Sequence, residues 1–315
     1  HTRLDPARLS RQTACMSATR DVFHNAGLLL GGRAVRMFLT LAALAIAARA
    51  LDKGAFGMLV LISAAVHTIG TFSRLQTWET VVRYGEQAGN DREQCQRVLI
   101  FSLLADSLSA LIGLLLALTI IPALAGVFQI TPAYYGLFQS YSLILPLFVI
   151  GPSHQGALRL FRRFDKVAII STLIPATRCV GAAILLFTGV HTLPAFLGVW
   201  ALGLLIARFG LVIITWRELA DRDLIKGLAR RVRERVVLQP VAGMVKFSLG
   251  TKLAHNLNLS TTQLPVLLVG ALTGPAGAGV YRIAEQVAAL VSKSVQKLLV
   301  PAIYPDLARQ TARDQ

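Results

Sequence analysis

Long apolar runs, each close to the length of a membrane span, constrain the fold of this chain more than any other feature. Eight such runs lie at roughly residues 25–49, 54–78, 97–121, 134–158, 165–190, 194–216, 240–269 and 276–301. About 20 apolar residues in a helix cross the hydrocarbon core of a bilayer. Hydrophobic residues make up 54% of the chain and charged residues 15%, which is not the composition of a soluble domain. The sequence therefore predicts an all-α, polytopic membrane protein.

The distribution of basic residues predicts the direction of the spans. Lys and Arg precede the first span and follow the second, fourth and sixth, whereas residues 122–136, 188–196 and 270–279 contain neither. Because Lys and Arg accumulate in cytoplasmic loops, we predict a cytoplasmic N-terminus. The same rule accounts for the net charge of +16. The basic run ARRVRERVV (229–237) therefore predicts a helix on the anionic inner leaflet rather than a nucleic-acid site.

Cysteine usage indicates neither a disulfide framework nor a metal centre. Cys15, Cys95 and Cys179 are odd in number, far apart and without ligand spacing. We therefore expect free thiols and no cofactor. The chain starts at His1, and residues 1–15 contain no apolar run, so we expect the native start at Met16.

A weak internal repeat predicts how the spans are organised. The glycine-rich segments ARALDKGAFG (48–57) and VGALTGPAGAG (269–279) lie about 220 residues apart, and each joins two predicted spans. The second copy begins six spans after the first, and an even number of spans returns the chain to the same side of the membrane. Both copies therefore run in the same direction, as in transporters built from parallel repeats. We predict a cytoplasmic tail (1–20), a six-helix lobe (21–219), an amphipathic linker (220–239) and the first two helices of a second lobe (240–315). The full protein is then expected to contain about four more spans.

Charged residues inside the predicted spans indicate a polar interior. A cation in mid-membrane costs at least ~2.5 kcal/mol, so it is expected to face a cavity or a partner. The predicted substrate-binding cations are Arg33, Arg36, Arg178, Lys252, Arg282 and Lys293. Asp106 and Glu285 are the mid-span acids, predicted to couple an ion or to pair with these cations. Arg74, Arg208 and Lys297 are close enough to the inner interface for snorkelling to explain them. A cavity with this excess of cations selects an anionic cargo.

Several segments resemble a known transporter family. They are AARALDKGAFG (47–57), ALRLFRRFDKVAIISTLIPATR (157–178), LLVGALTGPAGAGVYRIAEQ (267–286) and VPAIYPDLARQ (300–310). With them the chain resembles the Wzx-type polysaccharide and O-antigen flippases of the multidrug/oligosaccharidyl-lipid/polysaccharide transporter superfamily.

The resemblance implies two six-helix lobes in a MATE-like V that open alternately to each side of the bacterial inner membrane. The implied cargo is a polyprenyl-pyrophosphate-linked oligosaccharide for lipopolysaccharide or other surface polysaccharide, with H⁺ or Na⁺ as a possible coupling ion. Relatives carry an acid late in the seventh helix where this chain has TTQLPVLL (261–268), which argues against an ion site there.

Two other functions, a cation exporter and a membrane-embedded enzyme, fit the sequence less well, and a non-transporting scaffold stays open. A drug or organic-cation exporter of the same superfamily would present acids to its cargo, whereas this interior has two acids against several cations. A membrane-embedded polymerase or ligase would need a substantial outer loop with catalytic groups, and only Asp52 and His191 lie in the predicted outer loops. No phosphate-binding GxxxxGK[ST] or zinc-binding HExxH sequence occurs, so we do not predict an enzyme.

Overall fold

The computed structural model describes residues 32, 34–128, 130, 132–226, 243–259 and 264–313, with the backbone alone for residues 125, 257–259 and 290–313. Arg33, the predicted tail (1–20) and most of the predicted linker lie outside the described residues. Every regular element within them is helical, which confirms the all-α prediction. The helices are α1 (34–50), α2 (Lys53–Ser73), α3 (Thr77–Ala88), α4 (Arg92–Val127), α5 (Tyr135–Ser142), α6 (Leu145–Val149), α7 (Pro152–Leu160), α8 (Phe164–Phe187), α9 (Leu193–Asp221), α10 (Met244–Leu259) and α11 (Leu264–Arg313).

Helices long and apolar enough to cross a membrane confirm a polytopic membrane protein. Five segments of the described chain qualify: Lys53–Ala88, Arg92–Leu124, Phe164–Phe187, Leu193–Asp221 and Leu264–Ala289. A sixth qualifies if Pro132–Ser142 and Leu145–Leu160, bent by 46°, form one broken span. The count of eight stays a prediction.

Helix α2 is the centre of the bundle. Sixteen of its 21 residues are buried, against three of 24 in α8, whose outer face is apolar. Large apolar side chains such as Leu115, Phe187 and Phe209 are more than half exposed on α4, α8 and α9. Exposed apolar surface of this extent is what a lipid-facing belt requires.

The two glycine-rich segments of the predicted repeat meet in the structure. The Asp52 side chain accepts hydrogen bonds from Gly54 N (2.9 Å) and Ala55 N (3.1 Å) and so caps the start of α2. Helix α11 breaks at Gly274, where φ is 77° and ψ is −177°. A Cβ on Gly57 would lie 1.9 Å from the carbonyl oxygen of Pro275, so the two backbones touch. Small residues allow this kind of close helix packing in membranes.

The predicted second and fourth spans are interrupted, and one carboxylate joins the two breaks. Asp106 on α4 accepts hydrogen bonds from Thr77 Oγ1 (2.6 Å), Ser153 N (3.0 Å) and Ser153 Oγ (2.7 Å). It therefore satisfies donors at the start of both α3 and α7. Gly151, at φ 146°, precedes Pro152 at the first position of α7. Helices α3 and α7, which follow the breaks, are much less apolar than α2, but hydropathy alone does not distinguish a bent span from one that ends there.

Candidate anion-binding cavity

A cavity of about 230 Å³, here called the central cavity, lies beside α2. Helices α1, α2, α5, α6, α8, α9 and α11 contribute to it. Most of its lining is apolar. Its polar and aromatic lining residues are Thr40, Ser63, His67, Tyr141, Phe148, Arg178, Trp200 and Arg282.

Arg178 is the predicted cation that the structure places most clearly in this cavity. It lies on α8 about 21 Å from the start of that helix, at ~1.5 Å per residue, and therefore deep within the span. Its guanidinium carbon is 5.4 Å from the centre of the Trp200 ring, a cation–π contact. Its Nε is buried without a hydrogen-bond partner among the described residues. A buried polar group without a partner is rare, so this guanidinium marks a candidate ligand site.

Arg282 enters the same cavity from α11 but has a partner. Its Nη1 donates to Glu285 Oε2 at 2.8 Å, one helical turn away. This pairing is one of the two roles predicted for Glu285. No carboxylate of the described chain lines the central cavity, and Arg178 forms no ion pair there. The charge of the lining is therefore positive.

His67, one helical turn after Ser63 on α2, also lines the cavity. Its ring meets the Phe148 ring edge-on, with centroids 4.5 Å apart, and its Nδ1 is buried without a partner among the described residues. A single histidine in an apolar span is more often a packed polar residue than a proton relay, and this ring is packed. Its two ring nitrogens add hydrogen-bonding capacity beside Arg178.

Comparison with known proteins identifies the family. The sequence matches the family described as "Polysaccharide biosynthesis protein" over residues 22–310. The chain belongs to this family. It is also 26% identical over 301 residues to the inner membrane protein YghQ of Escherichia coli (strain K12), a match that covers 94% of this chain and 82% of that protein. No solved structure matches.

Family membership confirms the class of function that the resemblance implied. This polysaccharide biosynthesis family is of the membrane transporter or flippase type. The inner-membrane relative, together with the apolar helices, supports a multi-pass protein of the inner membrane.

The other predicted site residues of this family member lie apart from the central cavity or outside the described side chains. Arg36 reaches from α1 to α8, where its Nη1 donates to Ser171 Oγ at 2.6 Å. Lys252, on α10, is half-buried and does not line the cavity. The side chain of Lys293 lies outside the described part of α11, as Arg33 does before α1. Their role in binding stays a prediction.

Asp106 lies in the hydrogen-bond network of α3, α4 and α7 rather than in the central cavity. It is 1% exposed, and three donors contact its two oxygens. Among the described residues, no group of three or more His, Cys, Asp or Glu side chains forms a candidate metal site. An ion-coupling role for Asp106 stays a prediction that must be compatible with this network.

Arg74 and Arg208 are functional candidates that sequence reasoning assigned to snorkelling. The structure shows both half-buried beside Phe148, where they line another cavity of about 200 Å³, here called the second cavity. The available signal was the spacing of Ser63, His67 and Arg74, which places these three residues on one face of α2. The pairing with Arg208 had no sequence signal, because a broken span brings the two helices together.

Proposed function

We propose that this protein flips a polyprenyl-pyrophosphate-linked oligosaccharide from the inner to the outer leaflet, with its N-terminus in the cytoplasm. The observation that carries the proposal is Arg178, a deeply placed guanidinium that forms no ion pair with any described carboxylate. A pyrophosphate group offers several anionic oxygens, and the guanidinium fork of Arg matches phosphate geometry in a bidentate fashion.

The size of the central cavity supports a head-group site. Its volume of about 230 Å³ is below the ~300–1,000 Å³ of sites that enclose a whole drug-sized ligand. It therefore suits the charged diphosphate rather than the complete oligosaccharide. The sugars would then extend from the cavity, and the polyprenyl chain would remain in lipid.

Alternating access accounts for movement of that head group. The bundle is held to α10 and α11 by contacts at two levels: Gly57 against Pro275, and Thr80 Oγ1 2.8 Å from Ser248 Oγ. The packing of α2 against α11 is the most extensive contact between two described helices, so a rocking motion would have to shift this packed surface. Such motion of one repeat against the other is the usual plan of repeat-built transporters.

Glu285 is better placed than Asp106 to couple an ion to this motion. It pairs with Arg282, which lines the central cavity, so a proton or Na⁺ on Glu285 would release a second guanidinium toward the cargo. Asp106 has no such link to the lining. The proposed coupling acid is therefore Glu285, with H⁺ or Na⁺ as the ion.

A cation exporter of the same superfamily is the competing function, and one experiment separates the two. The full protein is reconstituted in vesicles, and flipping of a fluorescent polyprenyl-pyrophosphate oligosaccharide is followed beside efflux of a cationic dye. We expect the sugar lipid to cross while the dye stays, because the described lining contains two arginines and no acid. Dye movement without lipid movement would overturn the proposal.

A further inference from the structure

The second cavity is built from polar groups of four chain segments. It has a volume of about 200 Å³ and is separate from the central cavity. Its polar and aromatic lining residues are Arg74, Gln76, Trp78, Gln155, Arg208 and His255. No carboxylate of the described chain lines it.

The two arginines of this cavity are held in place but not neutralised. Arg208 Nη2 donates to the carbonyl oxygen of Phe148 at 3.3 Å, and the guanidinium of Arg74 lies 5.4 Å from the centre of the Phe148 ring. The Nε atoms of both are buried without a partner among the described residues. The two groups also repel one another electrostatically. Two cations held this close in a buried site are costly unless an anion offsets their charge.

Two acids are near this cavity, and neither removes the excess of positive charge. Asp106 attracts both arginines, but Thr77 and Ser153 occupy its oxygens. Glu79 is 3.7 Å from His255 Nε2 at the edge of the cavity. Asp106 alone faces the two guanidinium groups, since Glu79 lies against His255 and attracts Arg159 outside the lining, so the lining keeps a net positive charge. Gln76 and Gln155 add amide donors that anionic oxygens can accept from.

The second cavity is in line with the central one. Phe148 links the two: it lines the central cavity, its ring contacts the Arg74 guanidinium, and its backbone carbonyl oxygen accepts from Arg208. Along α2, Arg74 follows His67 of the central cavity by seven residues, or ~10 Å at 1.5 Å per residue. In the proposed orientation, the second cavity lies on the cytoplasmic side of the first.

We propose that the second cavity is a distinct anion site that holds a diphosphate group on the cytoplasmic side of Phe148, before the group reaches Arg178. That the diphosphate belongs to the cargo rests on the proposed function. The site itself follows from the paired arginines, the amides and the cavity. The head group would then pass from one arginine site to the next instead of crossing the span in one step.

Tryptophan fluorescence can report on each cavity separately. Trp78 lines the second cavity and Trp200 the central one, and the chain contains three tryptophans. In the full protein, Trp200→Phe/Trp216→Phe leaves Trp78 as the reporter and Trp78→Phe/Trp216→Phe leaves Trp200, with any tryptophan outside this chain changed to Phe in both. Each is titrated with inorganic pyrophosphate in detergent micelles. We expect saturable changes in both signals.

Variants of the arginines then assign the Trp78 signal. Loss of a charged hydrogen bond weakens binding by roughly tenfold or more. Arg208→Gln is therefore expected to weaken pyrophosphate binding at Trp78 about tenfold and to change binding at Trp200 less than about twofold. Arg208→Lys keeps the charge and should restore most of the affinity. The matched control is Arg159→Gln, because Arg159 contacts the Trp78 ring at 4.2 Å from outside the cavity.

Two results would overturn the proposal, and both are independent of lipid flipping. One is a Trp78 signal that stays flat at pyrophosphate concentrations that saturate Trp200, a result that needs no arginine variant. The other is a Trp78 affinity that Arg208→Gln leaves unchanged in a folded protein. Saturable Trp78 binding in a protein that moves no lipid-linked sugar would instead refute the proposed function and leave the second site intact.

Discussion

Replacing Asp106 tests whether this carboxylate joins two helices or couples an ion. Its contacts favour the first role: the side chain is 1% exposed and accepts hydrogen bonds from Thr77 Oγ1, Ser153 N and Ser153 Oγ. Asp106→Ala leaves all three donors without this acceptor. An unsatisfied buried donor costs ~1–3 kcal/mol, and the hydroxyl groups can rotate toward other acceptors while the Ser153 amide cannot. We therefore expect a loss of about 3–5 kcal/mol of stability.

Asp106→Asn provides an intermediate step of the same series. The amide oxygen still accepts from the Ser153 N–H, and the amide nitrogen can donate to the Thr77 hydroxyl. Only the charge is lost, and neutral hydrogen bonds are about half as strong as charge-assisted ones, so the expected cost is ~1–2 kcal/mol. Thermal unfolding of the purified variants in micelles measures the order. Asp165→Asn, at an exposed position in the first turn of α8, is the control and should unfold with the wild type.

Stability and ion dependence together distinguish the structural role of Asp106 from a coupling role. If Asp106→Ala unfolds with the wild type while flipping loses its dependence on pH or Na⁺, the network carries no stability and Asp106 is a coupling group. A protein destabilised in the expected order, with residual flipping still dependent on the ion, supports the structural role.

Three further substitutions probe the packing of the bundle, each measured as thermal stability in micelles. Glu218→Gln should lower the free energy of unfolding by ~2 kcal/mol, because this acid is 1% exposed and pairs with three basic side chains at the start of α8 and the end of α9. The basic partners are themselves partly exposed, which limits the effect. An unchanged stability would contradict the pairing. Gly57→Val should cost ~1–3 kcal/mol, since a Cβ there lies 1.9 Å from the Pro275 oxygen, and a stable variant would show that the two segments do not touch. Gly151→Ala should lower the free energy of unfolding by a similar ~1–3 kcal/mol, because φ is 146° and the new Cβ lies 2.3 Å from Arg208 Nη1. Full stability together with unchanged pyrophosphate binding at Trp78 would contradict this geometry.

The straight spans were predictable from the sequence because length and hydropathy alone define them. The fifth span was predicted at roughly 165–190 and occurs at Phe164–Phe187, and the sixth was predicted at roughly 194–216 and occurs within Leu193–Asp221. The breaks after α2 and before α7 were not predictable in this way. They depend on Asp106, which binds donors from two distant segments, and on the unusual backbone of Gly151.

Of the two candidate sites, only the central cavity was predictable from the sequence. Arg178 was predictable because a cation in the middle of an apolar helix needs a polar environment, wherever its neighbours are. Arg74 and Arg208 were not, because each alone is close enough to a helix end to reach water. Only the packing of Phe148 from a broken span shows that they face one cavity. Spacing within one helix cannot reveal such a pair.

The most direct test of the central claim is the rate at which an Arg178→Gln variant of the full protein flips a polyprenyl-pyrophosphate oligosaccharide in vesicles. Arg217→Gln is the matched control, since Arg217 is exposed near the end of α9 and lines neither cavity. Loss of a charged contact to the diphosphate predicts a rate at least about tenfold below that of the control. Equal rates for the two variants, at equal protein incorporation, would contradict the claim that Arg178 receives the head group.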